Sequence, residues 1–545
     1  MSFKKQIGQL IQGEILDDER SLDFYSKDAS LFQVKPALVV IPKGVEDISK
    51  LVNLVNLEKE NQTGLSLTVR SAGTDMTGGP LSESIVLDLN KSLNKIIKIE
   101  DGEAITEPGV YYLEFEKKAK EKGLLLPCYP ASKAICSVGG MVANNAGGEK
   151  TLIFGNTEKF VKKLKVILRD GQEYTFEALT KHQLDKKLKQ EDVEGGIYRD
   201  IYNLIKENRQ LIQNSQPKVS KNSSGYYLWD VWVGETFDLT RLLVGSQGTL
   251  GIITEITFRL IKPKPFSKLL VIELDDFDQL GDLVNQVLLL KPESFECYDD
   301  QTLKYAIRYF PEIVEYLKRV NKLHLVKKDL PIIEATLTQN HPKLTLLAEF
   351  TGDSEAEVLK KAETANKMLP AFNVRSKICK TAEEAGEYWA IRRESYNLLR
   401  HHAKDKSAAP FIEDIIVKPS DLPEFLPELN KIMSKYDLTF TLAGHIGDAH
   451  FHIIPLMDLK DQKTTDIFLE LSDEVFDLVI KYHGSIAGEH NDGLVRSPYV
   501  KKMFGEEVYR LFEKVKTIFD PDNIFNPGKK VDSSLDYTLA HIKDK

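Results

Sequence analysis

Two histidines in the second half of the chain, His445 and His452, are spaced so that they could hold one metal ion. The sequence from 438 to 454 has the pattern of two strands joined by a tight turn near Asp448. A turn centred there places the two histidines directly opposite each other, where cross-strand Cβ atoms are ~4.5–5.5 Å apart, and places His450 on the other face. Two facing imidazoles suit a divalent ion. A buried histidine pair without a metal fits the same spacing, so both interpretations stay open.

The stretch from 482 to 497 adds a carboxylate and another imidazole. Glu489 is a hard oxygen ligand, and His490 beside it titrates near neutral pH. A surface loop with a salt bridge is the alternative. Arg392 could bind a carboxylate through two parallel hydrogen bonds, or it could pair with Glu394 on the surface of a helix.

Three glycine-rich stretches in the first half could hold an anionic ligand. Val69 to Gly79 connects two apolar runs, and its small residues let backbone N–H groups converge on a pyrophosphate. Ser137 to Gly148 contains four glycines and two adjacent asparagines, and Leu242 to Ile253 contains three glycines. None is a Walker A loop or a Gly-x-Gly-x-x-Gly fingerprint opening a helix. Each alone is more often a turn, so only their combination indicates a binding site.

Apolar periodicity predicts the elements that position these residues. Helices are predicted over 45–60 and 109–122, and strands over 65–69 and 85–89. Residues 300–340 are charged and irregular, which predicts an exposed region.

Composition is that of a globular protein. The 545 residues are 42% hydrophobic and 28% charged, and the formal net charge of −9 argues against general nucleic-acid binding. No apolar run reaches the ~18 residues of a membrane span, and the stretch from Met1 to Arg20 lacks the apolar core of a signal peptide. A cytoplasmic location is therefore expected. The four cysteines form no Cys-x-x-Cys pair and cannot bind an iron–sulfur cluster by themselves.

The three glycine-rich stretches, in this order, resemble the FAD-binding domain of the vanillyl-alcohol oxidase / p-cresol methylhydroxylase (PCMH) superfamily. The matching motifs are Arg-Ser-Ala-Gly-Thr, Gly-Gly-Met-Val-Ala-Asn-Asn-Ala-Gly-Gly and Gly-Ser-Gln-Gly-Thr-Leu-Gly-Ile-Ile-Thr. Within it the chain is most similar to the FAD-linked D-2-hydroxyacid dehydrogenases, which act on D-lactate, glycolate or D-2-hydroxyglutarate. The resemblance extends from about Tyr25 to Lys529.

This resemblance implies an α+β fold with two domains. Residues 31–263 would form a PCMH-type FAD-binding domain of two α+β subdomains. Residues 264–530 would form an FAD-linked oxidase C-terminal domain that binds substrate and metal, with an antiparallel sheet and flanking helices. The composition changes after residue 263, in agreement with that boundary. Outside the resemblance, the residues themselves predict an N-terminal helical extension over 1–30 and a disordered tail over 531–545.

The resemblance also implies which residues bind FAD. The first loop would cradle the pyrophosphate, the second would line the flavin and ribityl chain, and the adenine would lie near Ile252. Some relatives attach flavin covalently through a histidine in the first loop; because Thr74 and Asp75 stand there, we expect non-covalent FAD. The residues expected at the cofactor are Ser71, Ala72, Gly73, Thr74, Asp75, Gly78, Gly79, Pro130, Ser132, Ser137, Gly139, Gly140, Ala143, Asn144, Gly148, Ile252 and Asn526.

Relatives carry Gly-His-x-Gly-Asp-x-x-x-His and Gly-Glu-His-Gly motifs, which match here at His445, His452, Glu489 and His490. The resemblance implies that the first three bind a divalent metal (zinc, manganese or iron) and that His490 lies at the flavin as general base. Arg392 would bind the substrate carboxylate. The implied reaction is metal-assisted oxidation of a D-2-hydroxyacid to the 2-oxoacid, with hydride transfer to flavin N5.

Three positions qualify this assignment. Asn491 replaces the family's glycine, and His450 stands where relatives have a small or polar residue. Arg496 could meet a second substrate carboxylate, which would favour D-2-hydroxyglutarate.

Two other functions remain open: a redox-neutral FAD synthase of the same fold, like alkyl-glycerone-phosphate synthase, and a non-catalytic module that stores metal or flavin. For a dehydrogenase, electrons are expected to pass to a separate iron–sulfur protein, an electron-transfer flavoprotein or a quinone. The protein would then work in the cytoplasm or peripherally at the membrane. A homodimer is also left open.

Overall fold

The computed structural model describes residues 3–59, 64–308, 341–402 and 406–543, and these form an α+β protein. Its strands form sheets of four, five and eight strands and one short two-stranded pair. Of the region 300–340, predicted to be irregular, residues 300–308 form a helix and the rest lies outside the described residues.

The first sheet comes from the N-terminal part of the chain. Its strands are β1 (Glu14–Leu16), β2 (Leu38–Ile41), β3 (Leu67–Arg70) and β4 (Ile85–Asp88), and its helices are α1 (Phe3–Leu10), α2 (Glu19–Tyr25) and α3 (Val45–Glu58). The strand order is β1-β2-β4-β3, and β4 is parallel to both neighbours. Helix α3 packs on this sheet through Ile48, Leu51, Val52 and Val55, all fully buried. The first glycine-rich loop leaves the sheet where β3 ends.

The second sheet is antiparallel, in the order β5-β6-β11-β7-β8. Its strands are β5 (Ile96–Glu100), β6 (Glu103–Thr106), β7 (Val161–Ile167), β8 (Glu173–Glu177) and β11 (Ile252–Arg259), while β9 (Trp232–Val233) and β10 (Thr236–Phe237) form the short pair. Its helices are α4 (Tyr112–Lys120), α5 (Val138–Asn144), α6 (Thr151–Phe154), α7 (Lys181–Lys187), α8 (Val193–Glu207), α9 (Arg209–Ser215), α10 (Leu228–Val231) and α11 (Thr240–Leu243). The second glycine-rich loop contains α5.

The third sheet is antiparallel, in the order β15-β12-β14-β13-β18-β19-β16, with β17 also paired to β19. Its strands are β12 (Phe266–Leu274), β13 (Ser294–Asp299), β14 (Leu344–Gly352), β15 (Val374–Ile378), β16 (Ser407–Ala408), β17 (Ile415–Ile416), β18 (Thr439–His445) and β19 (His450–Met457). The helices here are α12 (Leu280–Leu288), α13 (Asp300–Arg308), α14 (Glu355–Met368), α15 (Ala382–His402), α16 (Leu422–Met433) and α17 (Gln462–Lys481). No helix in the described part of the chain is long and apolar enough to cross a membrane.

The end of the chain returns to the N-terminal half. Helices α18 (Gly493–Phe504) and α19 (Glu506–Phe519) bury Val500, Phe512 and Phe519 in the core of the second sheet. Helix α20 (Leu535–Ala540) follows, and Ile542 pairs with Phe32. Residues 531–543 are therefore ordered against the N-terminal segment, which differs from the disordered tail predicted for 531–545.

All four cysteines are buried: Cys128, Cys136, Cys297 and Cys379. Burial raises the pKa of each thiol, to about 12 for Cys128, Cys136 and Cys379. They serve as small core residues.

Candidate active site

A cavity of about 620 Å³ is lined by residues from the parts of the chain that form the first, second and third sheets. This volume is in the ~300–1,000 Å³ range of ligand sites. The glycine-rich loops form one side, and β18, β19, α15 and the loop carrying Glu489 form the other. The predicted residues that line it are Ser71, Ala72, Gly73, Thr74, Asp75, Gly79, Pro130, Ser132, Ser137, Gly139, Gly140, Ala143, Asn144, Arg392, His445, His452, Glu489 and His490.

Four predicted cofactor residues do not line the cavity: Gly78, Gly148, Ile252 and Asn526. The Asn526 amide donates to the carbonyls of Gly79 and Gln247, at 3.0 and 2.7 Å, and so holds two loops from behind. A Cβ atom at position 148 would lie 2.1 Å from the Tyr129 carbonyl oxygen. Glycine is therefore needed there because two backbone segments pack closely together. Ile252 is fully buried in the core of the first sheet.

The three glycine-rich loops are tied together by polar side chains. Asn144 Nδ2 donates to Asp75 Oδ2 at 3.1 Å, and Gln247 Nε2 donates to the same oxygen at 3.3 Å. The backbone N–H of Gln247 donates to the Ala143 carbonyl at 2.9 Å. The loops therefore form one preorganised wall, although they are far apart in sequence.

The hairpin of β18 and β19 has a different register from the predicted one. His445 pairs with His450, and His452 lies opposite Ala443. The turn is a short 3-10 segment, Ile446–Asp448, followed by Ala449 with φ +52°. Because His450 is opposite His445 and two residues from His452, all three imidazoles project from one face. The prediction of a directly opposed His445/His452 pair, with His450 on the other face, was wrong.

Glu489 completes the cluster of imidazoles. Its Oε1 lies 3.0 Å from His445 Nε2 and 3.5 Å from His452 Nε2. One ligand atom from each of His445, His450, His452 and Glu489 falls within 4.8 Å of the others. Nitrogen and carboxylate donors at such separations suit a borderline divalent ion such as zinc.

Each of the three imidazoles has its own carboxylate behind it. Glu296 Oε1 lies 2.7 Å from His445 Nδ1, Asp414 Oδ1 lies 2.8 Å from His450 Nε2, and Glu413 Oε2 lies 3.3 Å from His452 Nδ1. Metal-binding histidines commonly have such an outer carboxylate, which fixes the tautomer and ring orientation. For His445 and His452 this leaves Nε2 directed at Glu489.

Lys221 places a fully buried ammonium beside the cluster. Its Nζ lies 3.4 Å from Glu489 Oε2, 3.4 Å from Asp448 Oδ2 and 3.3 Å from His450 Nδ1. Burial opposes its charge, but the two carboxylates outweigh burial and raise the pKa of Lys221. Burial, with this ammonium beside it, holds the pKa of His450 well below its usual value. His450 is thus a neutral imidazole.

His490 lines the cavity and is held from behind by Glu413. Its Nδ1 lies 2.7 Å from Glu413 Oε2, which leaves Nε2 free to face the ligand space, 3.7 Å from Glu489 Oε1. Burial opposes protonation of the ring, but Glu413 and Asp414 outweigh it and raise the pKa of His490 to about 10. Arg496 pairs with the other oxygen of Glu413.

Arg496 is fully buried and does not line the cavity. Its Nη1 donates to the Asn491 carbonyl at 2.9 Å, so its role is to hold Glu413 and the loop after Glu489. The suggestion that Arg496 meets a second substrate carboxylate was wrong.

Two neighbouring arginines of α15 reach the cavity. Arg392 Nη2 lies 3.1 Å from Glu296 Oε2, so a single carboxylate contacts both this arginine and His445. Arg393 donates from Nε and Nη2 to both oxygens of Glu149, at 2.8 and 2.6 Å. That bidentate pair joins the third sheet's domain to the second glycine-rich loop.

Asn491, which stands at a family glycine position, has φ +73°. Asparagine tolerates this left-handed conformation better than most residues. Its amide donates to the carbonyls of Asn144 and Gly245, at 3.1 and 2.9 Å. Asn491 therefore ties the loop after Glu489 to the glycine-rich wall.

Sequence reasoning missed Lys221, Glu296, Glu413 and Asp414. Lys221 stands in a segment that reads as an ordinary polar turn. Glu413 and Asp414 interrupt the otherwise apolar run from Phe411 to Val417, and two adjacent carboxylates in an apolar run are a usable signal of buried partners.

Comparison with known proteins agrees with this geometry. Residues 36–177 match the family described as FAD binding domain, and residues 264–530 match FAD linked oxidases, C-terminal domain. The chain belongs to the FAD-linked oxidases.

Two curated relatives of this FAD-linked oxidase are similar along nearly all of its length. D-2-hydroxyglutarate dehydrogenase of Escherichia coli (strain K12) is 28% identical over 515 residues, which is 92% of this chain and 49% of the relative. Glycolate oxidase subunit GlcD of Bacillus subtilis (strain 168) is 28% identical over 537 residues, 96% of both chains. The chain thus spans about half the length of the Escherichia coli relative.

Solved structures show the same fold at low identity. p-Cresol methylhydroxylase with substrate bound has a TM-score of 0.67 at 17% identity, covering 97% of this chain and 96% of that one. Alkyldihydroxyacetonephosphate synthase has a TM-score of 0.62 at 14% identity, covering 97% and 84%. The fold therefore occurs in both oxidative and synthase enzymes.

The cavity of this FAD-linked oxidase fits FAD. A Cβ atom built on Gly140 would have Ser71 as its nearest neighbour, at 3.4 Å. This position of the loop therefore leaves room for a ligand beside the backbone. At Gly147 a Cβ would lie 2.8 Å from Glu489 Oε2, so only glycine lets the loop approach the histidine–glutamate cluster so closely. Thr74 and Asp75 line the cavity in the first loop.

We expect the FAD to be non-covalent, because the lining of the first loop offers no histidine or cysteine to attach it. Purified protein should be yellow, and acid precipitation should leave the flavin in the supernatant, as its absorbance there would show. Yellow colour retained by the washed pellet would contradict this expectation.

Proposed function

We propose that this FAD-linked oxidase is a dehydrogenase that converts a D-2-hydroxyacid to the 2-oxoacid. One observation carries the proposal: an arginine, a histidine base and a metal-type donor set converge on one wall of the FAD cavity. These are Arg392, His490 and the cluster of His445, His452 and Glu489. The curated relatives described above act on this class of substrate, which supports the same assignment.

The chain's own residues supply binding and proton transfer. The Arg392 guanidinium is suited to the substrate carboxylate, and Glu296 holds it in place. His490 Nε2 accepts the hydroxyl proton, while Glu413 on Nδ1 keeps that nitrogen directed at the substrate. The glycine-rich wall would hold FAD, which would supply the acceptor for the hydride lost from C2.

A divalent metal held by His445, His452 and Glu489 would act as a Lewis acid on the substrate hydroxyl. Three carboxylates, those of Glu413, Asp414 and Glu489, lie within 4 Å of His490, and such a cation would offset their negative charge. With carboxylates around it, His490 has a pKa of about 10 and would be protonated at neutral pH. A nearby cation opposes the field of these carboxylates and favours the neutral imidazole that a base requires. Zinc, manganese and iron all fit the donor set, and His450 is a further donor in reach.

Glu296 is expected to act on metal and substrate together, because it contacts both His445 and Arg392. Glu296→Gln should weaken metal binding by about 10–100-fold, the usual effect of losing an outer carboxylate, and should raise KM for the 2-hydroxyacid. Metal affinity by chelator competition and steady-state kinetics measure the two effects. The control is Glu273→Gln, which removes a carboxylate paired with Arg375 on the same sheet. A change in only one of the two quantities would contradict a shared role.

We propose that a separate iron–sulfur protein, electron-transfer flavoprotein or quinone reoxidises the flavin, in the cytoplasm or at a membrane surface. Stopped-flow reoxidation should be slow with oxygen alone. Turnover with oxygen as fast as with an artificial acceptor would remove the need for a separate partner.

The decisive experiment is anaerobic mixing of the FAD-loaded protein with D- and L-2-hydroxyacids. D-enantiomers should bleach the flavin absorbance and release the 2-oxoacid in equal amount. A redox-neutral synthase, or a module that stores flavin or metal, would leave the flavin oxidised with every acid.

A further inference from the structure

The cavity face of the hairpin forms successive rows of paired residues. His445 pairs with His450, Ala443 with His452, and Thr441 with Ile454. Thr441, Ala443 and Ile454 all line the cavity. Moving away from the histidine cluster, the wall therefore changes from imidazoles to Ala443, Thr441 and Ile454, of which only Thr441 carries a polar group, a neutral hydroxyl.

Met76 covers this apolar end from the other domain. It follows the first glycine-rich loop, lines the cavity, and packs against the cluster formed by Ile454 and Leu456. Ile454 is only 5% exposed. Ile454 and Met76 thus form an apolar patch of the cavity wall, one row from the metal-type donors.

The arginine side chains that line the cavity already have polar partners within the protein. Among the described lining residues the guanidinium groups are those of Arg70, Arg392 and Arg393. Arg70 donates to the Lys27 carbonyl at 2.8 Å on the side of the first loop. Arg393 is held by both oxygens of Glu149, and Arg392 is the group assigned to the substrate's own carboxylate.

We propose that the substrate is a D-2-hydroxyacid with an uncharged, branched or straight apolar side chain of about three to five carbons, and that dicarboxylates are rejected. This inference rests on the proposed function, and it deepens it by assigning Ile454 and Met76 as specificity-determining residues. Two residues along a strand span ~6.6 Å. When the substrate carboxylate binds Arg392 and its hydroxyl lies at the histidine–glutamate cluster, a side chain of about three to five carbons reaches Ile454. The methyl group of lactate does not reach it. A second carboxylate would be buried there with no cation beside it in the described lining and only the neutral Thr441 hydroxyl as a donor, which is costly.

The test compares three acids with the intact FAD- and metal-loaded protein under anaerobic conditions. The second-order rate constant of flavin reduction should be at least about 100-fold higher for D-2-hydroxyisocaproate than for D-2-hydroxyglutarate, and about 10-fold higher than for D-lactate. Equal or faster reduction by D-2-hydroxyglutarate or D-lactate would overturn the inference and leave the proposed function standing. If none of the three acids, nor any other 2-hydroxyacid, reduces the flavin, the proposed function fails as well.

A pair of variants links this preference to the wall. Ile454→Ala should lower the rate constant for D-2-hydroxyisocaproate by about 10-fold and change that for D-lactate by less than about 2-fold. Leu456→Ala is the matched control, since Leu456 is in the same apolar cluster but does not line the cavity. It should leave the ratio of the two rate constants unchanged, and an equal change of that ratio in both variants would reject Ile454 as the determinant.

Discussion

Replacing His490 with alanine is expected to slow flavin reduction by about 10²–10⁴-fold, the usual contribution of a positioned general base. FAD and metal should stay bound, because the glycine-rich wall and the contacts of Glu489 with His445 and His452 do not depend on this imidazole. Rapid-mixing absorbance under anaerobic conditions measures the rate, and flavin and metal content are measured on the same sample.

The control for this variant is His182→Ala, which removes an exposed imidazole from α7. His182→Ala should reduce its flavin at the unmodified rate. If His490→Ala also keeps that rate, with cofactor and metal present, another group removes the hydroxyl proton and the assignment of the base is wrong.

Replacing Glu489 with glutamine should cost both metal and rate. Glu489 Oε1 is the atom that lies within reach of both His445 Nε2 and His452 Nε2. Burial opposes its charge, but His445 and Lys221 outweigh burial and hold the pKa of Glu489 well below the usual value, so a carboxylate is present at neutral pH. A neutral amide offers a weaker ligand. We expect the bound metal to fall to a small fraction of that in the unmodified protein, and flavin reduction to slow by at least about 100-fold.

Elemental analysis and rapid mixing test this prediction together. Glu355→Gln, at an exposed position in the first turn of α14, is the control and should change neither quantity. Metal-free unmodified protein that reduces its flavin as fast as the metal-loaded form would show that the metal is structural, and the proposed Lewis-acid role would be wrong.

The fold class was predicted from the family resemblance, whereas the glycine-rich loops that line the cavity were visible as local sequence patterns, for a physical reason. Loops that need backbone close to a ligand require small residues at fixed positions, and helices such as α3 carry their own apolar period. The hairpin register was harder. The sequence locates the turn only approximately, and this does not decide whether His445 pairs with His452 or with His450. The actual turn is a 3-10 segment followed by Ala449 in the left-handed conformation, and it pairs His445 with His450.

Glu296 and Lys221, unlike the adjacent Glu413 and Asp414, leave no local pattern from which they could be predicted. Glu296 and His445 are 149 residues apart, and only the pairing of β13 with β18 brings them together. Likewise Lys221 reaches Glu489 across 268 residues. The charge balance of a buried site depends on contacts that form only in the assembled fold. The sequence can therefore indicate the candidate metal ligands, but not the charged side chains that orient them.

Because its four cysteines are buried, this chain is convenient for labelling at introduced cysteines. A thiolate is the reactive form of cysteine, and with the pKa of Cys128, Cys136 and Cys379 near 12 hardly any thiolate exists at neutral pH. Maleimide and iodoacetamide reagents should therefore leave the folded native chain unmodified. One cysteine introduced on the exposed surface of α4 and a second on α14 would then carry a donor–acceptor dye pair, with no native thiol to replace first. The distance between the two halves of the molecule could be followed during turnover in the otherwise natural sequence.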